Sequence, residues 1–72
     1  MSRAVTDGQI AALRVEADAA GDLAMSALCV LALGGRDELR GAERGTEWAR
    51  LFRSRRTQRS ARSECAAVLA QA

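Results

Sequence analysis

The chain of 72 residues and 7.7 kDa is long enough for one small domain and little more. It lacks His, Lys, Tyr and Pro, so its eleven cationic side chains are all Arg, and its formal net charge is +2. General acid–base catalysis near neutral pH relies most often on His, with Lys or Tyr as substitutes, and this composition therefore predicts a protein that is not an enzyme.

The residue types favour helices over strands. Proline is absent, and only four Val and one Ile are available to support strands. We expect an all-α fold, in which one helical domain over residues 1–72 forms a compact bundle of three to five short helices. An apolar helix at about residues 22–33 should occupy the centre of this bundle.

The first helix is predicted over residues 7–20. Thr6 and Gln9 have the spacing of a capping box, in which Thr6 accepts a hydrogen bond from the first turn and Gln9 reaches back. Gly21 is typical of the left-handed residue that ends a helix. The expected apolar stripe of this helix consists of Ile10, Leu13, Ala17 and Ala20.

The second helix, 23–33, is apolar on every side of its cylinder. Asp22 is a suitable N-cap, and the pair Gly34-Gly35 ends the helix. A helix of this kind must be covered on all sides, either by the rest of the bundle or by a second copy of the chain. Five side chains are the candidates for such core or oligomer contacts: Met25, Leu28, Leu31, Trp48 and Phe52.

A short helix over 36–44, Gly45 and a further helix from Thr46 together outline a helix-turn-helix. In the helix from Thr46, one side carries the bulky apolar residues and the other is polar. The apolar side consists of Trp48, Leu51 and Phe52, and the polar side of Glu47, Arg50, Arg53 and Ser54. We expect Trp48 to anchor the core, because the chain has only one other aromatic residue.

The helix from Thr46 should not continue unbroken to the end of the sequence. Continuation would bring Arg55, Arg59 and Arg62 onto the face that carries Trp48, so we expect a break within residues 54–57. A last helix then begins at Thr57. Its apolar side is predicted to consist of Ala61, Cys65, Val68 and Ala72.

Charge is distributed unevenly along the chain. Residues 1–35 hold two Arg and four acids, a net charge of −2, whereas residues 36–72 hold nine Arg and five acids, a net charge of +4. Segment 50–62 contains six Arg and no acid, which indicates an anionic partner. The candidate partner-binding residues are Glu47, Arg50, Arg53, Arg55, Arg56, Arg59 and Arg62.

Cys29 and Cys65 lie on apolar helical faces, and we expect both to be buried, reduced thiols. A zinc site needs about four ligands, which two Cys without any His do not supply, so neither a metal nor another cofactor is predicted. The sequence has no signal-peptide pattern, and its longest apolar run, 23–33, spans eleven residues. We therefore expect a cytoplasmic protein that does not contact membranes.

Part of the chain resembles a group of small, uncharacterised helical accessory proteins from phages and mobile elements of GC-rich bacteria. The resemblance rests on Thr6-Asp7-x-Gln9-Ile10-x-x-Leu13-x-x-Glu16-Ala17-x-x-Ala20-Gly21-Asp22, on Cys29 and Ala32-Leu33, and on Glu64-Cys65-Ala66-x-Val68. It implies a compact helical protein encoded on a mobile element, with no catalytic residues to carry over. The sequence departs from this pattern over 36–62, where the Arg-rich stretch lengthens a usually short connection.

Three functions are compatible with these observations. The first is a non-catalytic binding protein that docks its arginines on a host protein or protein–nucleic acid complex and inhibits or redirects it, as anti-CRISPR and other anti-defence inhibitors do. The second is a small dimeric helix-turn-helix regulator that binds DNA. The third is an oligomeric structural or assembly subunit held together by the apolar second helix. We favour the first and expect a homodimer.

Overall fold

Five helices make up the part of the chain that the computed structural model describes, residues 5–40 and 47–71, with the side chains of Arg40 and Glu47 excepted. They are α1 (Asp7–Ala20), α2 (Leu23–Ala32), α3 (Arg36–Arg40), α4 (Glu47–Arg53) and α5 (Gln58–Ala70). These residues contain no strand. The predicted all-α bundle is confirmed.

The helix α1 begins and ends at the predicted residues. The Thr6 hydroxyl accepts from the Gln9 backbone N–H at 3.1 Å, and the Gln9 side chain accepts from the Thr6 backbone N–H at 2.9 Å. Gly21 takes the left-handed conformation with φ 71°, as expected for the end of a helix. The buried stripe is shorter than predicted, because Ala20 is exposed at the surface corner where α1 turns into α2.

The helix α2 is the centre of the bundle and contacts the other four helices. Residues 26–32 are buried without exception, so this part of the helix is covered on all sides within one chain. Asp22 caps it as predicted, accepting from the Met25 backbone N–H at 3.1 Å. The first turn differs from the prediction, because Leu23 is 54% exposed.

The turn after α2 brings the start of α5 against its end. Gly34 has φ 86°, a left-handed conformation that residues other than glycine rarely adopt. A Cβ at this position would lie 3.3 Å from Nε2 of Gln58. That same Nε2 donates to the Ala32 carbonyl at 3.2 Å, so the glycine leaves room for a link between α2 and α5.

The helices α3 and α4 pack against each other and against α2. Of the predicted helix 36–44, α3 covers the first part, while the rest of it and the predicted cap Thr46 lie outside the described residues. In α4, Leu51 is buried, and Trp48 and Phe52 are half-buried against the core. The polar side of α4 is exposed at Arg50 and Arg53, as predicted.

The predicted break between the last two helices is present. The helix α4 ends at Arg53, and α5 begins at Gln58 behind a second capping box, in which Thr57 is the N-cap. Between the two helices, Arg55 takes a left-handed conformation with φ 61°. Ala61 and Cys65 of α5 are buried as predicted, but Val68 is 37% exposed, because the end of α5 extends past the helices that cover its middle.

None of the described helices is both long enough and apolar enough to cross a lipid bilayer.

Candidate functional site

The structure divides the predicted partner-binding residues by exposure. Four of the arginines are exposed, namely Arg50, Arg53, Arg55 and Arg59, and we call them the arginine surface. Arg56 and Arg62 are half-buried. Glu47 begins α4, and its side chain lies outside the described residues. Sequence position alone therefore overstates the number of arginines available to a partner.

Arg62 joins three parts of the fold. Its Nη2 donates to the Val5 carbonyl at 2.7 Å, and its Nη1 lies 2.7 Å from Oδ1 of Asp7 and donates to the Ala32 carbonyl at 3.3 Å. The side chain is 29% exposed. A guanidinium that satisfies two backbone carbonyls and one carboxylate stabilises the start of α1 and the end of α2 against α5. Arg62 is thus a structural residue of the bundle.

Arg56 is half-buried and, unlike Arg62, its side chain pairs with a single carboxylate among the described residues. Its Nε lies 3.2 Å from Oε2 of Glu64, and both side chains are about two-fifths exposed (38% and 43%). Its backbone carbonyl accepts a hydrogen bond from the guanidinium of Arg36, which also lies 5.4 Å from the centre of the Phe52 ring. The contacts of Arg36 hold the turn between α4 and α5 against α3, and they thereby fix where the neighbouring arginines stand.

A half-open groove of about 490 Å³ lies between the first half of α2 and the end of α4. Its apolar lining consists of Ala24, Met25, Leu28 and Leu51. Leu28 and Leu51 are each 6% exposed, so the base of the groove is the outer surface of the hydrophobic core. Ala24 is exposed, which leaves the α2 side of the groove shallow.

The polar lining of the groove carries more positive than negative charge. Arg50 comes from α4, and Ser54 and Arg56 come from the turn that follows it. Asp22 lies at the α2 end, where its carboxylate already accepts the N-cap hydrogen bond from Met25. Two guanidiniums therefore border an apolar base opposite one carboxylate that serves as a helix cap.

The sequence does not predict the groove, nor does it predict that the first turns of α2 line it. It forms where α2 and α4 meet, and residues 22–28 and 50–56 are distant in the sequence. Trp48 was correctly expected to contact the core, and Arg14 lies 6.0 Å from the centre of its ring.

Cys29 of α2 and Cys65 of α5 are both free thiols and fully buried. Burial, together with the neighbouring Cys65, raises the pKa of Cys29 to about 12. Burial also raises the pKa of Cys65. Neither thiol is poised as a nucleophile, because the thiolate is the reactive form and burial disfavours it.

Within the described ranges, no group of three or more Cys, Asp or Glu side chains is placed to hold a metal ion. The groove and the arginine surface place Arg donors beside an apolar surface. Such donors form charge-assisted hydrogen bonds to carboxylate or phosphate, and the groove leaves room for an apolar group between them.

Comparison of the chain with known protein families, with characterised proteins and with solved structures finds no match.

Proposed function

We propose that this protein is a non-catalytic binding protein whose arginine surface docks on an acidic surface of a host protein or protein–nucleic acid complex and blocks or redirects it. The mechanism is steric: the bundle occupies a surface that the host complex needs for its own substrate or partner. The resemblance to accessory proteins of phages and mobile elements suggests a target within bacterial defence, in the manner of an anti-CRISPR inhibitor.

The single observation that carries this proposal is the exposure of four arginines in a segment without acids. Arg50, Arg53, Arg55 and Arg59 are exposed. Among the described acidic residues, Asp22 serves as the cap of α2 and Glu64 as the partner of Arg56. Arginine at a protein interface forms planar, bidentate contacts with carboxylate or phosphate groups. Desolvation at the centre of an interface strengthens such contacts.

Neutralisation of the arginine surface tests the proposal. The variant Arg53→Gln/Arg55→Gln/Arg59→Gln changes the net charge from +2 to −1, because three positive charges are lost. At about 0.5 kcal/mol for each screened contact, we expect the affinity for a captured host partner to fall about tenfold. The measurement is quantitative capture from a lysate of a GC-rich bacterium, followed by titration of the purified partner.

A charge-matched control separates local contacts from the effect of net charge. The variant Ala11→Glu/Ala12→Glu/Ala19→Glu also has a net charge of −1, but its substitutions lie at exposed positions of α1. It should retain the affinity of the unmodified protein, and circular dichroism should show the same helical content in all three proteins. Equal losses in the two variants would refute a specific arginine surface.

A DNA-binding function is the second candidate, and the arrangement of α3 and α4 favours it. The two helices pack against each other, and Arg50 and Arg53 project from the exposed side of α4. A helix-turn-helix protein of this kind binds as a dimer, and its affinity falls steeply with salt. Gel shifts on duplex DNA at low and high salt, with light scattering of the free protein, distinguish it from the first candidate.

A further inference from the structure

The groove between α2 and α4 has an apolar base that remains partly open to solvent. Met25 is half-buried on it, and Leu28 and Leu51 close it from below. Its volume of about 490 Å³ falls within the range of roughly 300–1,000 Å³ that is typical of protein ligand sites. The groove is therefore large enough to receive a bulky side chain together with part of the backbone that carries it.

The apolar lining of the groove comes from both helices. Ala24, Met25 and Leu28 belong to α2, and Leu51 belongs to α4. An apolar group that enters the groove is removed from water, and this burial favours binding. The lining therefore favours an occupant with an apolar group.

The charge around the groove favours an occupant that is also acidic. Arg50 and Arg56 border the groove, and Arg53 and Arg55 are exposed in the chain between them. Arg56 shares its guanidinium with Glu64 in an ion pair that is partly open to solvent. An exposed pair of this kind is worth little and can be exchanged for a carboxylate of a partner.

A protein segment fits these features better than a nucleic acid does. Single-stranded bases are held by aromatic rings, and neither aromatic residue of the chain lines the groove. The phosphate backbone of a duplex has no bulky aliphatic group to fill an apolar base. A peptide segment supplies both parts, with a Leu or a residue of similar size for the base and carboxylates for the guanidiniums on either side.

We infer that the α2–α4 groove binds a partner segment in which one large apolar side chain is flanked by Asp or Glu residues. The apolar side chain enters between Met25, Leu28 and Leu51, and the flanking carboxylates bind Arg50, Arg53 and Arg56. This inference rests on the proposed function, and it specifies the chemistry of the surface on which the protein docks. The arginines orient the partner, and the groove holds it.

Fluorescence anisotropy with labelled peptides tests the inference on the complete chain. The probe is a short peptide with one central Leu between Glu residues, and its comparison peptide has Ser in place of Leu. Loss of the buried Leu should weaken binding about ten- to a hundredfold. A third peptide with Lys in place of Glu should not bind. Equal binding of the Leu and Ser peptides would overturn the inference, since charge alone would then account for the affinity.

A groove-filling variant gives the second readout. Ala24→Trp places a large ring over the apolar base from an exposed position, and we expect it to weaken binding of the Leu peptide about tenfold. Ala12→Trp, at an exposed position of α1 outside the groove, is the matched control and should bind normally. Unchanged helical content in both variants shows that they fold. Normal binding by Ala24→Trp would overturn the inference.

The two proposals fail in different ways. If neutralisation of Arg53, Arg55 and Arg59 weakens capture of the host partner but Ala24→Trp does not, the arginine surface stands and the groove inference is wrong. If neither variant affects capture, both proposals are wrong. If light scattering shows a dimer of the free protein that Ala24→Trp dissociates, the occupant is a second copy of the chain, and the inference of an acidic partner segment is overturned.

Discussion

Two regions of the molecule use arginine in opposite ways. At the α2–α5 junction, formed by Cys29, Cys65 and Arg62 with the backbone of Val5 and Ala32, the guanidinium is half-buried and satisfies carbonyls of its own chain. On the arginine surface, by contrast, the arginine side chains are exposed. Arg62 follows Arg59 by three residues in the sequence, and its position relative to the core distinguishes it from the exposed arginines. In a run of arginines, therefore, only those that the fold leaves exposed are candidates for binding a partner.

The largest expected effect concerns the junction, and it appears at alkaline pH. Burial raises the pKa of Cys65 and brings that of Cys29 to about 12, whereas an unfolded thiol titrates at about 8.5. Above pH ~8.5 the unfolded chain releases protons that the folded chain retains, so stability is present below this pH and falls as pH rises. Cys29 alone should lower the free energy of unfolding by about 2 kcal/mol at pH ~10.

Urea denaturation at pH ~8 and pH ~10 measures this loss. No other side chain contributes to the pH dependence in this range, because without Lys or Tyr the thiols are the only side chains that titrate between about pH 9 and 11. The variant Cys29→Ala/Cys65→Ala should lose this pH dependence, although it is less stable at pH ~8 because of the cavities. The same alkaline decline in this variant would show that the thiols are not the cause.

The next effect compares one arginine from each region on the same helix. Arg62→Gln removes the hydrogen bonds to the Val5 and Ala32 carbonyls, and we expect it to lower the free energy of unfolding by about 1–2 kcal/mol. The contribution of Asp7 to this loss is small, because its side chain is 79% exposed. Arg59→Gln, at an exposed position of α5, should change stability by no more than about 0.5 kcal/mol.

Urea unfolding of both variants under one set of conditions measures the difference. Capture of the host partner should show the reverse order, with a loss in Arg59→Gln and none in Arg62→Gln beyond that caused by unfolding. Similar stability of the two variants would mean that Arg62 belongs to the arginine surface, and the distinction between the two regions would disappear.

The local features of this fold could be predicted from the sequence, whereas its long-range contacts could not. The caps at Thr6, Gly21 and Asp22 depend on residues three or four positions apart, so their spacing in the sequence already specifies them. Arg62 bonds to the Val5 carbonyl across the whole chain, and no local pattern marks that contact. The groove depends in the same way on how α2 meets α4, and so does the exposure of Ala20 and Val68 at the edges of the bundle.

The smallest effect has opposite signs for stability and binding. Arg55 has φ 61°, and a residue with a side chain pays about 1–2 kcal/mol for this left-handed conformation. Glycine avoids that cost but loses more backbone freedom on folding, so Arg55→Gly should raise the free energy of unfolding by about 0.5–1 kcal/mol. It should also weaken binding of the acidic Leu peptide about twofold, because one positive charge is lost.

The matched control for Arg55→Gly is Arg53→Gly, which removes the same charge two residues earlier. Arg53 is helical and exposed, so glycine there should lower the free energy of unfolding by up to about 1 kcal/mol. It should weaken binding of the acidic Leu peptide about as much as Arg55→Gly does. Thermal unfolding and peptide anisotropy on the two variants then separate backbone strain from charge. If Arg55→Gly is more stable but binds the peptide more weakly, Arg55 lowers the stability of the turn and contributes to binding of the partner. If Arg55→Gly binds normally, the arginine surface does not include the turn.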